Sequence, residues 1–115
     1  MKKVLLTMVV LAMVAGSALA LPYICSGTAY SYLGGLLGAG YTVTVVGHTN
    51  CYGVTDANGA FLVTGSPIPD AANHYLKFTK TGYTTQYSNW FYYPQNYVQL
   101  GSITLRKLPP PTDPE

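Results

Sequence analysis

Eight residues, Val54-Thr55-Asp56-Ala57-Asn58-Gly59-Ala60-Phe61, constrain the fold of this 115-residue chain more than any other stretch. Apolar, β-prone segments flank an Asp-Ala-Asn-Gly reversal. Asn58 and Gly59 tolerate positive φ, and the Asp56 side chain can accept hydrogen bonds from backbone N–H groups two residues on. The segment predicts a hairpin turn at Asp56, Asn58 and Gly59. Its arms are residues 52–55 and 60–64, with Phe61 and Val63 facing inward.

The rest of the chain breaks into short β-prone runs divided by Gly, Pro, Asn and Asp. Residues 27–33 read as a first strand and 34–40 as a glycine-rich turn. In 41–47, Val43 and Val45 alternate with Thr42 and Thr44, the period of a half-buried strand. Pro67 and Pro69 make 65–73 a loop. Leu76 and Phe78 face inward from 74–80, and 82–88 forms a further strand. In 97–105 the inward parity shifts between Val98-Leu100 and Ile103-Leu105, which predicts a bulge at Gly101-Ser102. Seven short strands at roughly ten-residue spacing, with no helical period, argue for an all-β fold: a seven-stranded antiparallel Greek-key-type β-sandwich.

Three segments follow. Residues 1–20 read as a secretory signal peptide, with Lys2 and Lys3, an apolar run over 4–14 and an Ala18-Leu19-Ala20 cleavage site. Residues 21–106 are the domain and 107–115 a Pro-rich tail that cannot join a central strand. Bulky Tyr23-Ile24 before Cys25 argues against lipidation. The expectation is a secreted, periplasmic or cell-surface protein with no membrane insertion after leader cleavage. Removing 20 residues from 115 leaves 95, enough for one small domain. The net charge of +2 belongs to the leader, because the four remaining basic residues face four acidic ones. A neutral surface does not steer phosphates, which excludes a nucleic-acid partner, and it favours association.

Cys25 and Cys51 form an even pair in an exported chain, and pairing 27–33 with 41–47 about the glycine turn brings them near each other. A Cys25–Cys51 disulfide is expected. Closing that loop of about 26 residues is worth about 3–4 kcal/mol in the chain-entropy model. Cys25, His48, Cys51 and His74 lack the paired short spacings of zinc modules, so no metal site is expected.

Several segments together carry a family pattern. Gly27-Thr28-Ala29 is followed by Gly40-Tyr41-Thr42-Val43-Thr44-Val45, then by Thr55, Asp56, Gly59 and Phe61 in a Thr-Asp-x-x-Gly-x-Phe motif. Tyr75-Leu76 and Gly82-Tyr83 complete it. Over about residues 26–106 this resembles the carboxypeptidase regulatory-like family, a transthyretin-like (prealbumin-like) β-sandwich. Only the hairpin motif is specific. The Gly-Gly-Leu-Leu-Gly turn, the long 66–73 connection, the cysteines and the aromatic run depart from the pattern. The resemblance implies a non-catalytic accessory or interaction module. Neither His48 nor His74 precedes a Glu at His-x-x-Glu spacing, so the family's zinc peptidase is not implied. The C-terminal Tyr-Arg-Gly-Ser of transthyretin-like hydroxyisourate hydrolases is missing as well.

No catalytic residues, no metal ligands and no cofactors are expected. There is no Gly-x-Ser-x-Gly elbow, and Asp56-Ala57-Asn58-Gly59 lacks the later bidentate Glu of a calcium loop. Eleven tyrosines exceed what one small core can hide, and tyrosine suits interfaces. Trp90, Phe91, Tyr92 and Tyr93 are the candidate binding surface, and the alternative for the same run is packing over one end of the sandwich as a structural cap. The leading expectation is an exported structural or interaction module, not an enzyme. Its partner is protein, either itself or an envelope or extracellular partner, and self-assembly would run through sheet edges and surface tyrosines. The alternative is a carbohydrate-binding module using Trp90 and nearby tyrosines, with a glycan partner.

Overall fold

The computed structural model describes residues 22–113, none of them helical; the targeting segment expected at 1–20 lies outside them. Nine strands follow in order: β1 Tyr23–Tyr30, β2 Thr42–Val45, β3 His48–Val54, β4 Ala60–Gly65, β5 Ala72–His74, β6 Leu76–Thr79, β7 Gln86–Tyr87, β8 Phe91–Tyr93 and β9 Tyr97–Thr104. Seven form one sheet in the order β7-β6-β2-β3-β4-β1-β9, while β5 and β8 pair in a small ribbon. Strands β2, β3 and β4 are consecutive neighbours, and β1 lies beside β4, a Greek-key arrangement.

The large sheet curls until its ends meet. Just past β9, Arg106 and Tyr87 exchange both backbone hydrogen bonds, N–H to O=C, at 2.7 and 2.8 Å. Inward side chains therefore face one another across a closed core. Phe61 of β4 meets Phe78 of β6 edge to face at 5.3 Å between ring centres. Val43, Val45, Val63 and Leu76 are fully buried around them. The alternation read in 41–47 and 74–80 becomes this inward face.

Two expectations change. The sheet is not wholly antiparallel, because β9 runs parallel to β1. Parallel neighbours need a long connection, and the whole of β2–β8 separates these two strands. The second change concerns the cysteines. The first strand starts at Tyr23 rather than residue 27 and pairs with β4, not with β2. The loop, in which Gly34, Gly35, Gly38 and Gly40 take positive φ, folds back locally with Tyr30 bridged to Leu36 and does not set β1 beside β2. Cys25 sits opposite Val63 of β4, while Cys51 lies on β3, on β4's other side. Two strand spacings of about 4.8 Å exceed the Cα separation of about 7 Å that a disulfide tolerates. Both cysteines are free, buried thiols, and the expected Cys25–Cys51 disulfide is absent.

The hairpin motif has a physical division of labour. Thr55 is buried; its Oγ1 accepts from Tyr41 N at 3.0 Å and donates to Gly38 O at 2.7 Å. That side chain ties the glycine-rich loop to the hairpin. The Asp56 carboxylate accepts from Asn58 N at 2.8 Å and Ala60 N at 3.0 Å. Gly59 takes φ +76°, and its carbonyl accepts from Ala29 N at 2.9 Å. A Cβ there would stand 2.6 Å from Ala29 O. Phe61 then enters the core. The parity change in the last strand resolves as a bulge: Ser26 faces Gln99 and Thr28 faces Ser102, so β9 carries one extra residue. The bulge presses Gly101 O toward Gly27, where a Cβ would lie 2.9 Å from that oxygen.

Candidate functional site

The four aromatic residues at 90–93 do not share one surface. In β8, strand alternation sends Tyr93 inward and Tyr92 outward, with Phe91 half-buried. The partner strand β5 sets this register, pairing Ala72 with Tyr93 and His74 with Phe91. Tyr93 is fully buried and Tyr92 is 59% exposed. Trp90 precedes the strand and turns toward the C-terminal segment.

Inward of β8 lies a cluster of rings and thiols. Tyr23 packs at a tilt on Tyr93, ring centres 4.4 Å apart, and His74 stacks on the same ring at 5.4 Å. Tyr23 Oη and His74 Nδ1 are 3.3 Å apart, and His48 lies 5.2 Å from His74 between ring centres. Burial pushes the Cys25 thiol up to about 12, and it raises Cys51 as well. The Tyr23 phenol is raised by burial first, then by Cys25, Tyr93 and Cys51. Burial holds His74 below its ordinary value; His48 adds to that lowering, and Asp113 partly offsets it. Tyr23, Cys25, Cys51 and His74 are thus held in their neutral forms near pH 7. Neutral, desolvated thiols are poor nucleophiles and poor ligands, so the cluster acts as packing. Among the described residues no group of three His, Cys, Asp or Glu side chains is placed to hold a metal ion.

Outward of β8, Trp90 stands edge-on to Tyr75, with ring centres 4.8 Å apart, and Tyr87 lies 6.3 Å beyond Tyr75. The Trp90 indole N–H donates to the Pro111 carbonyl at 2.9 Å. Pro110 is buried between exposed Pro109 and Pro111, and Asn73 Nδ2 donates to Asp113 Oδ1 at 2.9 Å. The sequence alone reads this tail as an extended Pro-rich segment outside the sheet. The contact spans 21 positions, and no local pattern encodes it; a lone tryptophan alongside a polyproline run was the available signal.

The seam of the curled sheet is the second notable surface. Among the described residues, strand β9 pairs only with β1 until Arg106 bridges to Tyr87. Between its outer edge and the Ser88–Phe91 segment lies a cleft of about 310 Å³, lined by Trp90 and Phe91 on one side and Leu100, Ser102 and Ile103 on the other. The strand register also lays one outward row across the sheet: Lys77, Thr44, Tyr52, Thr64, Ile24 and Tyr97. This row carries a single charge. Tyr52, Val54 and Leu62, on adjacent strands β3 and β4, are each more than half exposed.

No protein-family model matches the chain, and no curated protein sequence does. A solved structure does resemble it: a chain of the type II cohesin–X-dockerin complex from Acetivibrio cellulolyticus, in an N-terminal interface mutant. Identity is 25% and the TM-score 0.54, over 72% of this chain and 56% of that one. The shared feature is the β-sandwich. This chain therefore spans little more than half the length of the structure it resembles.

Proposed function

We propose that the chain is an exported, non-catalytic protein-interaction module that associates with copies of itself through the outer edge of β9. The observation that carries this reading is the open seam: an unladdered strand edge beside a part-apolar cleft of about 310 Å³. Unpaired N–H and C=O groups along such an edge accept another strand readily. Natural edges are usually guarded by charge or proline, yet Tyr97-Val98-Gln99-Leu100-Gly101-Ser102 has neither. The outward Thr and Tyr row, with one lysine, adds contact area without repulsion.

Two further observations support a binding role. The structure it resembles comes from a complex between protein modules. The roles of Thr55, Asp56, Gly59 and Phe61 also give a physical basis for the carboxypeptidase regulatory-like motif, and membership of that family is part of this proposal. Export by the 1–20 leader is another part. The carbohydrate reading draws no support from the geometry, because Tyr93 is buried and the Trp90 indole N–H is already engaged.

Sedimentation velocity of the mature chain across a concentration series tests the reading. Growing species are expected, and Tyr97→Lys with Gln99→Lys on the edge should return the chain to monomer. A monomer at every concentration contradicts it.

A further inference from the structure

Trp90, packed edge-on against Tyr75, is already engaged by the chain's own tail. Leu108, Pro109 and Pro110 each precede a proline, which bars the helical region and drives them toward the extended or polyproline II conformation. Such a segment reaches its partner with little conformational entropy left to lose, and it leaves its backbone carbonyls free to accept. Both features are used here. Pro110 is buried while its two proline neighbours are exposed, and the carbonyl of Pro111 receives the Trp90 indole N–H at 2.9 Å. Asn73 fixes the far end through Asp113 at 2.9 Å. An aromatic pair with an indole donor, facing a three-proline run, is the chemistry of a polyproline site.

We propose that this face is a polyproline-recognition site whose ligand is residues 109–113, held in cis here and exchangeable for the same segment of a second copy. All three attachments, at Pro110, Pro111 and Asp113, lie beyond Leu108. Residues 107 and 108 therefore act as the hinge about which the tail can leave. Leu108 is 70% exposed in the cis arrangement, an apolar side chain that the closed form leaves uncovered. The site shares Trp90 with the seam cleft, but its ligand is the tail and not the β9 edge.

Trp90 is the chain's only tryptophan, so with edge association silenced its emission reports the tail contact. The test uses two full-length mature chains, both carrying Tyr97→Lys and Gln99→Lys to silence edge association. One also carries Pro109→Gly, Pro110→Ser and Pro111→Gly, which leaves the site without its ligand. The other carries Trp90→Ala, which leaves the ligand without its site. In the first chain Trp90 emission should shift to the red and acrylamide quenching should rise. A synthetic peptide of residues 107–115 should reverse both changes saturably. On the chain with its native tail, the cis segment competes at an effective concentration of about a millimolar, so the same peptide should need roughly that concentration to bind. Mixing the two chains should give a 1:1 complex by sedimentation that neither forms alone. Unchanged emission in the first chain, no saturable peptide response, or no mixture-specific complex each overturns the proposal. Independently of any variant, the Trp90 indole proton of the native chain should be protected from hydrogen exchange, and free exchange also overturns it. Because edge association is silenced in both chains, failure here leaves the seam reading untouched, and the reverse holds.

Discussion

Tyr23 Oη and His74 Nδ1 meet at 3.3 Å inside the core, although 51 positions separate them in the chain. This pair joins the first strand of the large sheet to the β5–β8 ribbon, and Tyr93 packs against both rings. It fixes which side of β8 faces in, and so which aromatics are left for binding.

The pair makes stability depend on acidity. His74 is held below its ordinary value by burial first and by His48 second. Its folded-state value lies below its unfolded one, near 6.5, so the unfolded chain binds the extra proton first. Stability is complete above about pH 6.5 and falls as pH drops toward the lowered value. Chemical denaturation from pH 8 to pH 5 should show this loss, and a His74→Gln variant should show a flatter profile over the same window.

The free thiols make a different prediction. Melting temperature should be the same with and without a reductant, and neither cysteine should react with a thiol reagent until the chain unfolds. A native disulfide would instead lose about 2–5 kcal/mol on reduction. Thermal melts in the two conditions, with thiol titration of the folded protein, distinguish the cases.

The hairpin supplies a graded series. Thr55→Val removes both bonds of a buried hydroxyl and leaves Gly38 O and Tyr41 N without that partner, a cost of about 2–3 kcal/mol. Asp56→Ala removes two exposed turn bonds and should cost about 1 kcal/mol. Gly59→Ala combines a positive φ with a Cβ 2.6 Å from Ala29 O, so it should be the most damaging of the three. Urea unfolding of each variant checks the order.

The β9 bulge allows a local test. A methyl at Gly27 would lie 2.9 Å from Gly101 O and 3.0 Å from Phe61 Cζ. Gly27→Ala should therefore destabilise the chain by about 1–3 kcal/mol, as overpacking does. Its effect should appear in β1–β9 amide exchange before any in β2–β6.

Much of the fold was legible because its determinants are local. The turn chemistry of Asp56 and Gly59, the alternation of Val43 and Val45 with Thr42 and Thr44, and the parity change near Gly101 each lie within a few residues of what they specify. Pairing between distant strands was not legible in that way. Whether β1 sits beside β2 or beside β4 depends on where a loop with four left-handed glycines carries the chain, and the disulfide expectation failed with that choice. The aromatic run shows the same limit. Alternation could divide Phe91, Tyr92 and Tyr93 between two faces, but which face was inside depended on Tyr23 and His74 far away. The seam emerged only when the ends of the sheet met at Tyr87 and Arg106.

Amide hydrogen exchange along β9, measured on the mature chain at low and high protein concentration, tests the interaction reading most directly. Amides of residues 97–102 that face away from β1 should exchange readily when dilute and become protected as the chain associates, while the β2–β6 ladder stays unchanged. Association without any gain of protection along β9 would contradict the edge as the site of assembly.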